Sequence, residues 1–385
     1  MIELYEHQKE VSIIIQEMVE KEGLAIVSLP ERSGKTLTVI DAVLKIGFRA
    51  PLWVTKKNAI ESIRDDLAQY GSSIFTVINY EMLHKVTSQH DVVICDEFHT
   101  ISAFPKPSVR LKQLQRFKGT PFIYVSATPA TESASQWFMP LSLSSYHEFG
   151  KYRNFYEWAR EYVNVFQKRI GAYMVNDYSK AKEDLVMAKV NPFIINRTRE
   201  QMGFEFHPNI VPHKVKLDDD TKTIIKLIRK NRMFGDMPLD TPTKLISALY
   251  QIECGTIKDG SRYQEIGNTE IIDYIKDTWG DNEDMAIMCH WIGQREQLQK
   301  HFKNALILSS TSHAEGIELS HIDTLIIASI DYSTARFQQR NARQASKKRD
   351  KPINVNIIIT DGGVSEKVFS AVALKHQNFN ARMAI

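Results

Sequence analysis

Cysteine is scarce: Cys95, Cys254 and Cys289 are the only three in 385 residues, and no two form a C-x-x-C pair. This excludes a disulfide framework and a cysteine-rich zinc site, and it points to a reducing compartment. Glycine and proline are also few, 17 and 13, which excludes a collagen-like or low-complexity chain. No apolar run approaches the roughly 18 residues of a membrane span. The first residues are charged from Glu3 onward and lack the apolar core of a secretion signal. Neither sign of charge dominates: 49 Lys and Arg stand against 46 Asp and Glu, a net charge of +3. That excludes a histone-like packer but leaves room for a local basic stripe. The expectation is a soluble, intracellular chain without membrane contact, long enough for two or three domains.

What the chain does have is alternation. In the first ~130 residues, apolar stretches at 24–29, 51–55, 74–78, 91–95 and 121–126 alternate with amphipathic ones near 5–22, 35–46, 58–69 and 108–117. Short, nearly all-apolar strands between helices predict a parallel sheet covered on both faces. Residues 146–166, rich in aromatics, predict a helix whose Phe and Trp form a packing face. Pro192, Pro208 and Pro212 then mark a crossing. Alternation resumes with strands at 285–290, 305–309, 324–329 and 353–359. Helices are expected at 218–232, 241–252, 268–279, 293–303, 334–346 and 365–375. The Asp-Gly in 253–267 is a hairpin signal. The reading is α/β: a first domain at 1–145, a helical, aromatic insertion and crossing at 146–210, and a second domain at 211–385.

Two segments carry chemistry. In LAIVSLPERSGKTLTVIDAVL a strand runs into a loop, and Ser33-Gly34-Lys35-Thr36 opens a helix. A helix N-terminus offers unpaired N–H groups and a positive dipole end to phosphate. Lys35 would neutralise phosphate charge and Thr36 would ligate Mg²⁺. The pattern is partial, because Leu29 and Arg32 occupy positions where glycine is usual. In DVVICDEFH, Asp96 and Glu97 follow a strand, where one acid meets Mg²⁺ and a second orients water. PFIYVSATPA adds Ser126 and Thr128 after the next strand. Cys289-His290 has no second pair with metal-site spacing.

In this order GKT, DEFH and SATP resemble motifs I, II and III of superfamily II helicases and translocases. The resemblance spans nearly the whole chain and is greatest to Swi/Snf-type DNA-dependent ATPases, in a compact form like those encoded by phages. It implies two tandem RecA-like domains joined by the insertion. LYEHQKE resembles the glutamine motif, with Gln8 as adenine reader. Residues 51–67 resemble motif Ia, with Thr55 and Lys56, beside Lys57, as phosphate-backbone contacts. VINYEML adds Asn79 and Tyr80. His99, Ser126 and Thr128 take the coupling role. In the second half, 287–302 resembles motif IV. Residues 309–329 resemble motif V, with Gly316 at the nucleotide and Thr311 and Ser312 at nucleic acid. Residues 337–349 resemble motif VI. NPFIINRTRE, a Pro-containing strand and LISALYQIECG match the Swi/Snf-type run between motifs III and IV.

The resemblance therefore implies an ATP hydrolase using ATP and Mg²⁺. Gly34, Lys35, Thr36 and Ser33 hold the nucleotide, Thr36 and Asp96 the metal, and Glu97 positions water. Arg343 is the first choice for arginine finger and Arg340 the second. Departures are Ser346 where a second arginine is usual and Glu318 in motif V. The partner implied is DNA, duplex or branched, held through its backbone without sequence preference. RNA and a protein partner stay open, and the location implied is the cytoplasm of a bacterium or phage-infected cell. The alternatives are an RNA helicase, or a nucleotide-binding switch with weak or no hydrolysis.

Overall fold

Five short apolar segments of the first half form strands: β1 (Leu24–Ser28), β2 (Pro51–Thr55), β3 (Thr76–Asn79), β4 (Val92–Asp96) and β5 (Phe122–Val125). The structure, a computed structural model, describes residues 3–130, 132–170, 173–260, 262–310, 319, 321–341, 344 and 351–374. Helix α1 (Glu6–Glu22) precedes β1, and α2 (Lys35–Ile46), α3 (Ile60–Gln69) and α4 (Val109–Leu114) lie between the strands. The chain divides into two units, 1–203 and 204–385.

The first unit therefore includes residues 146–203. They do more than form helix. After α5 (Phe138–Leu141), helix α6 covers only Phe155–Tyr162, because Asn154 caps its N-terminus by accepting from Glu157 N. A hairpin of β6 (Phe166–Ile170) and β7 (Tyr173–Asp177) follows, then α7 (Glu183–Val190) and β8 (Ile194–Asn196). β8 joins the main sheet, whose order is β3-β2-β4-β5-β1-β8, every pair parallel. Phe149, Phe155, Trp158 and Tyr162 are buried in the core with Phe138 and Tyr124, as a packing face requires.

The second unit begins with β9 (Pro208–Val215), a Pro-containing strand after NPFIINRTRE that straddles the expected boundary at 210. β9 pairs only with the last strand, so it is a sheet edge. Prolines are tolerated there because one side of the strand needs no N–H donors. Helix α8 (Asp219–Asn231), the small ribbon β10 (Met233–Phe234) and β11 (Met237–Pro238), and α9 (Pro242–Glu253) follow. The expected hairpin is β12 (Thr256–Asp259) and β13 (Arg262–Glu265). Next come α10 (Glu270–Trp279), β14 (Met285–Cys289), α11 (Ile292–His301), β15 (Leu306–Ser309) and β16 (Thr324–Ile327). α12 (Thr334–Asn341), β17 (Ile353–Thr360) and α13 (Val364–Phe369) complete it. The sheet order is β15-β14-β16-β17-β9, again all parallel.

Alternate residues on these strands enter two separate cores. Ala286, Met288, Leu325, Ile327 and Ile357 face one; Met285, Ile287, Ile326 and Ile358 face the other. Both faces are thus covered, which is why the strands read as unbroken apolar runs. A carboxyl group lies deep in this unit. Glu253, 1% exposed at the end of α9, accepts from Thr360 Oγ1 (2.6 Å), Val364 N (2.5 Å) and Ser365 N (3.1 Å). Burial raises its pKa, and these donors oppose the shift. No helix among the described residues is long and apolar enough to cross a membrane.

Candidate phosphate and acid-pair site

The loop between β1 and α2 is built on a left-handed turn. Gly34 has φ +76° and caps α2. A Cβ there would collide with the Gln8 amide, so glycine is needed twice over. That amide is fixed from both ends: Gln8 Oε1 accepts from Tyr5 N (2.9 Å) and Nε2 donates to Ser33 O (3.2 Å). His7 Nε2 lies 3.1 Å from the same carbonyl. The start of α1 thus clamps the loop. Arg32, where the motif usually carries glycine, has φ +64°. The glycine-type backbone survives although the residue has changed.

Lys35 Nζ folds back to donate to Leu29 O (3.1 Å) and Pro30 O (2.9 Å). Burial lowers its pKa, opposed by the charges of Glu31, Glu97 and Asp96, so loop and acid pair share one electrostatic site. Ser33 Oγ is buried and makes no hydrogen bond among the described residues. An orphaned hydroxyl, an ammonium and the N-terminus of a twelve-residue helix fit a phosphate group.

Asp96 ends β4. It accepts from Thr55 Oγ1 at 2.7 Å and from Glu97 N at 3.0 Å, while Tyr80 OH donates to its carbonyl at 2.7 Å. Burial and the neighbouring Glu97 raise the Asp96 pKa. Burial acts on Glu97 in the same direction. The hydrogen bond from His99 and the charges of His99, Lys56 and Lys35 outweigh it and lower the Glu97 pKa. Two adjacent acids pushed apart in this way are suited to different roles. His99 Nδ1 lies 3.1 Å from Glu97 Oε2 and 3.2 Å from Ser126 Oγ, which accepts from Thr128 N at 3.1 Å. A hydrogen-bonded path therefore runs from the acid pair to the end of β5.

Most positions expected at a nucleic-acid backbone are engaged within the first unit. Thr55 is 0% and Tyr80 1% exposed, and both bond Asp96, so neither has surface to offer. Asn79 is buried and its Oδ1 accepts from Met82 N as a cap. Lys56 is half-buried and acts on Glu97; Lys57 is exposed at the same corner. Gln8, expected to read adenine, has its amide engaged by the loop and its own helix start.

Arg340 is likewise engaged. It is 0% exposed, with its guanidinium 2.6 Å from Asp331 Oδ1 and its Nε donating to Arg336 O. The group is thus held in an ion pair within the second unit. Arg343, Thr311, Ser312, Gly316 and Glu318 lie outside the described residues. His290 is part-buried against Trp291 and Tyr332, and no group of three or more metal-type ligands occurs among the described residues.

One cation was missed. Arg199 follows β8 and reaches the loop, 3.4 Å from Glu31 Oε2 and 3.5 Å from Glu31 O. It is 168 residues away in sequence, so no local pattern signals the contact. Only the resemblance of NPFIINRTRE marked that stretch.

No protein-family model matches the chain. No curated protein matches it either. Among solved structures it is similar to the SWI2/SNF2 ATPase core domain of Sulfolobus solfataricus. That likeness has a TM-score of 0.45 and 15% identity, and it covers 97% of this chain and 89% of the other.

Proposed function

We propose that this chain is an ATP-hydrolysing motor that acts on nucleic acid, DNA foremost. The observation that carries the reading is the path from Glu97 through His99 to Ser126 and Thr128, beside a phosphate loop. Simple nucleotide binding would not need the acid pair to be wired to the end of β5. In this reading Ser33, Gly34, Lys35 and Thr36 hold the phosphates. Thr36 and Asp96 hold Mg²⁺, which would neutralise charge developing on the phosphoryl oxygens. Glu97, kept ionised, orients the attacking water. Gln8 holds the loop, and Arg343 remains the proposed finger. Lys57 replaces Thr55 as the backbone contact, with Thr311 and Ser312 in the second unit.

The test is steady-state ATP hydrolysis with single-stranded DNA, duplex DNA, branched DNA and RNA. Duplex or branched DNA is expected to stimulate most. Glu97→Gln should lower turnover by on the order of 10²–10⁴, and Lys35→Ala should abolish it. Wild-type rates in both variants would overturn the assignment. The switch reading draws on one observation, the locked Arg340. Nucleotide binding without hydrolysis under any of the four polymers would favour it.

A further inference from the structure

The chain that continues past the acid pair and the aromatic segment around α6 enclose a cavity of ≈ 260 Å³ in the first unit. Its floor is Leu111, Phe138 and Met139, each at most 2% exposed, and its walls include Pro105, Pro107 and Tyr156. A cavity of about 150 Å³ holds benzene, so this one admits a leucine, phenylalanine or tryptophan side chain. Most of its polar lining groups are engaged elsewhere. Ser142 Oγ donates to Met139 O (2.8 Å), Asn154 Oδ1 accepts from Glu157 N (3.0 Å), and Tyr152 OH donates to Glu161 (2.6 Å). A nucleobase would find few partners for its polar edge; an apolar side chain needs none.

The charged lining residues are all cations: Lys106, Lys118 and Arg153. Lys118 donates to Gly150 O at 2.8 Å. Lys106 and Arg153 are exposed and form no ion pair among the described residues. Two unpaired cations beside an apolar hole make a surface that is complementary to one chemistry.

We propose that this cavity docks a protein segment that inserts one large apolar side chain and sets acidic residues against Lys106 and Arg153. The anchor supplies affinity by filling the floor, and the acids supply orientation and a dependence on salt. The site uses none of the residues assigned to ATP, so it stands whether or not the chain hydrolyses ATP.

The experiment uses the full chain and a fluorescein-labelled hexapeptide, Glu-Asp-Phe-Asp-Glu-Asp, followed by anisotropy. Saturable binding is expected. It should weaken at least about tenfold, equivalent to about 1.4 kcal/mol, when the peptide Phe becomes Ser or its acids become Lys. Ser142→Trp, which plugs the cavity, should remove binding. The exposed pair Lys106→Glu and Arg153→Glu should weaken it by a similar factor with an unchanged unfolding midpoint. Absence of binding, indifference to Ser142→Trp, or equal binding of the lysine peptide each overturns the proposal. So does an oligothymidylate that binds in the peptide's place with the same sensitivity to Ser142→Trp, which would assign the cavity to nucleic acid.

Discussion

Thr55 donates its hydroxyl to Asp96 across 2.7 Å from the neighbouring strand. A residue expected at a nucleic-acid backbone therefore holds the carboxylate assigned to Mg²⁺. Thr55→Val keeps the shape and deletes the donor. The expected cost is about 1–3 kcal/mol of stability, because a part-buried carboxylate loses a partner. Affinity for Mg²⁺–nucleotide should fall and affinity for DNA should not. Paired titrations of nucleotide and DNA check this, and a selective loss of DNA binding would return Thr55 to the backbone role.

Arg199 adds charge to the phosphate loop through Glu31. Arg199→Ala is expected to raise KM for ATP about tenfold, the scale of one charge-assisted contact of 1–2 kcal/mol, with a smaller change in kcat. Arg199→Lys should recover part of the loss. An unchanged KM in Arg199→Ala would show that the ion pair is only structural.

Arg32 occupies a left-handed conformation at φ +64°. Alanine and glycine both remove its side chain, so comparing the two variants isolates the backbone. Arg32→Gly should be the more stable by roughly 1–2 kcal/mol, read as the difference in unfolding free energy. Equal stabilities would mean that the loop relaxes out of this conformation.

His290 provides a pH dependence. Burial lowers its pKa to about 4; Asp331 opposes this, and Arg340 and Arg336 reinforce it. The folded pKa lies below the ordinary value of 6.5, so the protonated form favours unfolding. The stability is present above pH ~6.5 and is lost as pH falls toward 4, by about 3 kcal/mol in all. His290→Gln should flatten that part of the profile. Denaturation at stepped pH measures it; a slope that persists in the variant would place the titration elsewhere.

The sequence made the parallel sheets legible because strands buried on both faces have no polar alternation to confuse them. β2 and α2 begin and end where the pattern puts them, at 51–55 and 35–46. The loop before α2 and the adjacent acids at the end of β4 could be located for a related reason: each sits at a helix start or a strand end, which the pattern marks. What was hidden depends on distance or direction. β9 carries two prolines, so only the resemblance marked it as a strand, and its edge position is what allows it. The β6–β7 hairpin has only Gly171 as a turn signal and leaves Tyr173 77% exposed. The orientation of Thr55 and Tyr80 toward Asp96, and the arrival of Arg199 from beyond β8, are set by packing between segments.

Glu253 has a consequence for how the second unit can move. Donors from the end of β17 and the first turn of α13 converge on its carboxyl group. Sliding α13 by even one residue would strand that group in an apolar interior, at a penalty of several kcal/mol. Gradual creep between α9 and α13 is thereby penalised at every intermediate position. A displacement that carries α9 and α13 together leaves these three hydrogen bonds intact.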